Sequence, residues 1–198
     1  HGISGARGNG VINWPRNGLP FIEWTFTGNR IAPVDNPIPT DGDYSGVAAP
    51  EPVNCNQAYV SLFGQDVIVN EATFDFGNDV FYRCIAGKRD AIIVTRKPAL
   101  TITIDEPLLD EYDFHEAIIN ETEDVFQYLM YKNSALDGSA ADEGGIEIYA
   151  PTVQLSTPEV NDQSGVCGLS MEGRVLPDST QSFLDYYMRI YAPAVTVP

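Results

Sequence analysis

Between residues 90 and 107 the chain reads DAIIVTRKPALTITIDEP, an alternation of apolar and polar residues that breaks at Arg96, Lys97 and Pro98. Period two places successive side chains on opposite faces of a strand, so Leu100, Ile102 and Ile104 are expected to face a core while Thr101 and Thr103 face water. The same alternation in residues 11–14 and in FIEWTFT (21–27), joined by the turn-forming PRNGLP, predicts a first hairpin. AYVSLFG, VIVNEATFDFG, VFYRCIAG, AIIVT and LTITI are short strand-like segments punctuated by Gly64, Gly77, Asn78, Gly87 and Pro98. IEIYAPTVQL, VCGLSMEGRVL and LDYYMRIYAP finish the chain in the same manner.

One segment follows another period. LLDEYDFHEAIIN predicts a short helix at about 111–119: Asp110 can cap it, Asp113 suits the positive end of the helix dipole, and Phe114 and Ile118 share a face. DVFQYLMYK carries both a helical and a strand pattern, and its Val and Tyr content predicts a strand at 124–131. Five prolines and the acidic turn DGDY between Pro33 and Val53 predict a long extended loop. Turn signals every roughly 8 to 12 residues and no fixed-period repeat define the expected fold: mainly β, a β-sandwich or barrel with one flanking α-helix, as a single domain over 1–198.

Composition narrows the functional classes. A formal charge of −17 repels nucleic acid phosphates and anionic membranes, and no apolar run is long enough for a membrane helix. The charge is also unevenly spread. Arg83, Lys88, Arg89, Arg96 and Lys97 fall together, whereas residues 105–124 hold acids and neither Lys nor Arg. Opposed patches of this kind steer a protein toward copies of itself. The expected subunit contacts are these five bases, Asp110, Glu111 and Glu116 in the helix region, and Asp41, Asp43 and Tyr44 in the long loop.

No set of residues in the chain forms a recognisable catalytic motif. Cys55, Cys84 and Cys167 show no metal-binding spacing and are expected to be reduced, mostly packed thiols. There is no G-x-S-x-G, and His115, which could pair with Cys167, reads better as a helix-surface histidine among carboxylates. GARGNG lacks the spacing of a phosphate-binding loop and reads as a turn. Asp41 with Asp43, Asp105 with Glu106 and Asp142 with Glu143 are pairs that an acid-rich chain produces by chance. The expectation is no enzyme, no cofactor and no metal. Trp14 and Trp24, on the first hairpin, suit a core, a subunit contact or a sugar-stacking platform.

GARG (5–8), FTGNRIAPVDNPIPT (26–40), FDFGNDVFYRCIAG (74–87), TRKPALTITIDEP (95–107) and YAPTVQL (149–155) resemble, in that order, the major tail tube proteins of long-tailed bacteriophages, across most of the chain. The resemblance implies a virion structural protein made in the bacterial host cytoplasm. It implies hexameric rings stacked into a tube, contacts with other tail proteins, and an N-terminal portion preceding His1. DNA would pass through the lumen unbound, and negative charge there would let phosphates slide. The alternative expectation is a β-sandwich binding module for carbohydrate or a receptor, using Trp14, Trp24 and a calcium ion.

Overall fold

The structure, a computed structural model, describes residues 2–16, 18–32, 58–131, 145–163, 165–178 and 185–191. The long loop with Asp41, Asp43 and Tyr44, Cys55, and the acidic pair at 142–143 lie outside the described residues. The described residues are mainly β with one short helix, as the alternation of the chain predicts.

In chain order the strands are β1 (Gly2–Trp14), β2 (Phe21–Ile31), β3 (Ala58–Leu62), β4 (Gln65–Asp66), β5 (Val69–Asp75), β6 (Asn78–Ile85), β7 (Lys88–Arg96) and β8 (Ala99–Asp105). Helix α1 (Phe114–Ile119) follows, then β9 (Glu123–Tyr131), β10 (Gly145–Leu155), β11 (Glu159–Asp162), β12 (Cys167–Val175) and β13 (Tyr187–Tyr191). One antiparallel sheet runs β2-β1-β5-β8-β12-β10-β9-β3-β4, with β11 added to β12 and β13 to β10, while β6 and β7 form a separate two-stranded sheet.

The large sheet curls over its own core. Leu100, Ile102 and Ile104 of β8 are fully buried, as their period requires, together with Phe74, Phe126, Ile148 and Leu169 from other strands. Trp14 of β1 stacks on Tyr128 of β9 at 4.3 Å between ring centroids, although these strands are not hydrogen-bonded neighbours. That contact packs one part of the sheet face to face with another across the core, as in a β-sandwich or barrel. β10 forms one corner: Gly145–Tyr149 pairs with β13, Val153–Leu155 pairs with β12, and the register against β9 shifts between Ala150 and Val153. Pro151 sits in that shift, where a missing N–H interrupts no regular ladder. β11 had no counterpart among the expected strands. Thr103 departs from the expected wet face: it is buried, with its hydroxyl 3.4 Å from that of Ser170 on β12.

α1 is shorter than the expected 111–119, because Asp113, not Asp110, is its N-cap and accepts a hydrogen bond from the Glu116 amide at 2.9 Å. Residues 108–112 form a turn instead, with the Glu111 and Tyr112 amides donating to the Leu108 carbonyl. Phe114 is 1% exposed and packs beside Tyr112 and Phe63, and Ala117 is buried, so the helix docks through its first turn.

The break at Arg96, Lys97 and Pro98 is a junction between two sheets, since β7 belongs to the small sheet and β8 to the large one. The Lys97 amide donates to the Gly77 carbonyl at 2.9 Å. Gly77 has φ +65°, and a Cβ there would lie 1.9 Å from the Lys97 carbonyl oxygen, so the junction requires glycine. GARGNG is not a turn. It lies within β1, whose register slips between Ser4 and Arg7 around Gly5 at φ +59°.

Candidate assembly surface

β2 is the terminal strand of the large sheet, eleven residues long. Its register places Phe26 opposite Gly8 and Trp24 opposite Gly10. Glycine is required there because the aromatic rings lie across the β1 backbone: a Cβ at Gly8 would come within 2.5 Å of the Phe26 ring. Trp24 and Phe26 stack at 5.8 Å and remain 49% and 55% exposed, so an aromatic surface continues beyond the covered core. Trp14, by contrast, is buried, which removes one member of the expected two-tryptophan platform.

The β6–β7 hairpin lies against this overhang. The Tyr82 hydroxyl donates to Asn29 Oδ1 at 2.8 Å, Asn29 Nδ2 donates to the Arg89 carbonyl at 2.9 Å, and the Asn78 amide donates to Asn9 Oδ1 at 2.9 Å. Period two then turns Phe81, Ile85 and Val94 away from β1 and β2, and all three are exposed.

The five expected bases divide into two groups. Arg83 holds Asp90 with two hydrogen bonds of 2.9 and 2.8 Å, and Lys88 Nζ lies 3.3 Å from the same carboxylate. The Arg83 hydrogen bonds depress the Asp90 pKa to about 2. Arg96 is held within the chain by both carboxylate oxygens of Asp185 and lies 5.3 Å from the Tyr186 ring centroid. Arg89 and Lys97 are exposed and make no ion pair among the described residues.

The acids lie at the far end of β8. That strand spans seven residues, about 20 Å at the usual rise, from the Lys97 junction to Asp105. Asp110, Glu111 and Glu116 beyond it are exposed. Interspersed with them are exposed Leu108, Leu109 and Ile119, the last 79% exposed. A cleft of about 530 Å³ opens between the β4 segment and residues 107–114, lined by Asp66, Val67, Pro107, Glu111, Tyr112 and Phe114 among others.

His115 lies among carboxylates as expected, with Nε2 3.6 Å from Glu106 Oε1. The Cys167 thiol donates to Glu106 Oε2 at 2.8 Å, and this bond pushes its pKa up, away from the thiolate a nucleophile needs. Cys84 and Cys167 are free but exposed, correcting the expectation of packed thiols, because β6 and β12 present them outside the core. Among the described residues no three His, Cys, Asp or Glu side chains are grouped to hold a metal ion.

The arrangement therefore offers surfaces for contact: an apolar end carrying free cations and an apolar end carrying carboxylates. The apolar members Phe81, Ile85, Leu108, Leu109 and Ile119 were missed in the sequence. VFYRCI, LLDEY and AIIN signal them only weakly, since an apolar residue on a solvent face has the same letter as one in a core. No protein-family model matches the chain, and no curated protein matches it.

Proposed function

We propose that this chain is a structural protein that associates head to tail with copies of itself, building hexameric rings that stack into a bacteriophage tail tube. What supports self-association is the complementarity of the two ends of β8. Beyond one end lie Lys97 at the junction and Arg89 about 25 Å away at the start of β7, with exposed apolar residues along β6 and β7 between them, and the other end presents Asp110, Glu111 and Glu116 near exposed leucines and isoleucines. A contact between unlike surfaces of identical chains closes into a ring or extends as a filament. The ordered motifs that resemble tail tube proteins, and a mainly β fold with one flanking helix, support the specific assembly. A net charge of −17 suits a conduit along which DNA passes without sticking.

Sedimentation of concentrated protein, followed by negative-stain microscopy, tests the reading. At low salt the expected result is a high-mass species with a central hole. It should diminish as ionic strength shortens the screening length to about 8–10 Å. A monomer at every concentration and salt level would overturn it.

A further inference from the structure

We infer that the tip of the β6–β7 hairpin of one copy seats in the cleft beside α1 of the next copy. The inference rests on the self-association reading and names the two surfaces that meet. The tip is a turn at Gly87, with φ +83°, from which Ile85, Lys88 and Arg89 project into solvent. It carries one exposed branched apolar side chain and two cations within five residues.

The cleft has the complementary chemistry. Val67, Pro107 and Tyr112 supply apolar wall, with the buried Phe114 behind them, while Asp66 and Glu111 supply carboxylates. Its volume of about 530 Å³ falls inside the range of roughly 300–1,000 Å³ typical of clefts that enclose a ligand. Asp66 accepts a hydrogen bond from the Tyr59 hydroxyl at 2.6 Å, and Glu111 Oε2 accepts from the Leu108 amide at 3.4 Å. Each carboxylate retains lone pairs for a cation, since an ionised carboxyl offers about four acceptor sites. Ile85 would cover the apolar wall while Arg89, which makes no ion pair among the described residues, reaches the carboxylates at its rim, with Lys88 shared between them and Asp90.

The tip lies against Asn29 of β2, whereas the cleft adjoins α1 beyond the opposite end of β8. The contact is therefore between copies, and the series keeps one free tip and one free cleft at its two ends until it closes.

Two variants separate the surfaces. Ile85→Glu with Arg89→Glu alters only the tip, and Asp66→Lys with Glu111→Lys alters only the cleft. All four positions are exposed, and monomer thermal denaturation checks that each variant folds. Under conditions where the unsubstituted protein assembles, each variant alone is expected to associate roughly tenfold or more weakly, because like charges meet at the contact. Mixed in equal amounts, the variants should associate again, since the intact tip of one meets the intact cleft of the other and the acidic tip of the first meets the basic cleft of the second. Assembly of both variants like the unsubstituted protein would overturn the placement and leave self-association standing. Failure of the unsubstituted protein to assemble would overturn both.

Should either variant fail to fold, cross-linking decides the question. Ala86→Cys and Gln65→Cys are made separately, each with Cys55, Cys84 and Cys167 replaced by serine. On mixing under oxidant, a disulfide joining the two different chains is expected. Its absence from assembled protein would overturn the placement.

Discussion

Arg96 and Asp185, 89 residues apart in sequence, are joined by two hydrogen bonds from one guanidinium nitrogen to both carboxylate oxygens. The Asp185 side chain is only 12% exposed, whereas that of Arg96 is 47% exposed. Tyr186 beside them stacks on Phe76 at 5.5 Å and meets Phe74 edge-on at 5.0 Å. The pair thus fastens the segment that leads into β13 against the junction between the two sheets.

Arg96→Ala should destabilise the fold by about 2–3 kcal/mol, because it leaves a largely buried carboxylate without its cation. This is below the roughly 3–5 kcal/mol of a fully buried pair, since half-exposed Arg96 is partly screened by water. Asp185→Asn in the same background should recover part of the loss by removing the stranded charge. Urea denaturation of the three proteins checks this, and an unchanged midpoint for Arg96→Ala would exclude the fastening role.

The pairing of Gly8 with Phe26 makes a second expectation. Gly8→Ala drives a methyl group to 2.5 Å from the ring and 2.6 Å from the Thr25 carbonyl oxygen. A cost of about 1–3 kcal/mol is expected from such overpacking. Phe26→Ala should relieve the ring contact, making the double variant more stable than the sum of the two single effects. Strict additivity in thermal denaturation would show that the ring moves aside freely.

Phe114 anchors α1. Its ring is fully enclosed beside Phe63 and Tyr112, so Phe114→Ala should lower stability by about 3–5 kcal/mol through lost transfer energy and the cavity left behind. Chemical denaturation measures the change. Ile119→Ala, at a position 79% exposed, serves as the comparison and should shift the midpoint little.

Asp90 ties acid behaviour to the β6–β7 hairpin. Its pKa falls from 3.8 to about 2 on folding, so the folded state binds the proton less readily than the unfolded one. The sign follows: the stabilising contribution is complete above about pH 4, declines as pH falls, and is lost below the folded value near 2. Carboxyl NMR titration should place the Asp90 transition near 2, and Arg83→Gln should return it toward 3.8. A midpoint unmoved by that substitution would show that another group holds the carboxylate.

The alternation of LTITI was sufficient to bury Leu100, Ile102 and Ile104, because side-chain direction in a strand is set by local backbone geometry. The short helix and the strand after it were legible for the same local reason, and the separation of bases from acids is a property of the linear chain. Other features depended on contacts between distant residues. Asp110 is the expected cap in sequence, with Asp113 suiting the helix dipole, and the turn that engages Leu108 with Tyr112 makes Asp113 the cap instead. GARGNG has the composition of a turn, but cross-strand pairing with β2 extends it and lays Phe26 and Trp24 over its glycines. Arg96 belongs by sequence to a basic cluster, and only the fold brings Asp185 to neutralise it while leaving Arg89 and Lys97 in solvent. Sequence alternation assigns faces within a strand, but which charges are satisfied and which apolar faces stay uncovered is settled by what long-range packing brings alongside them.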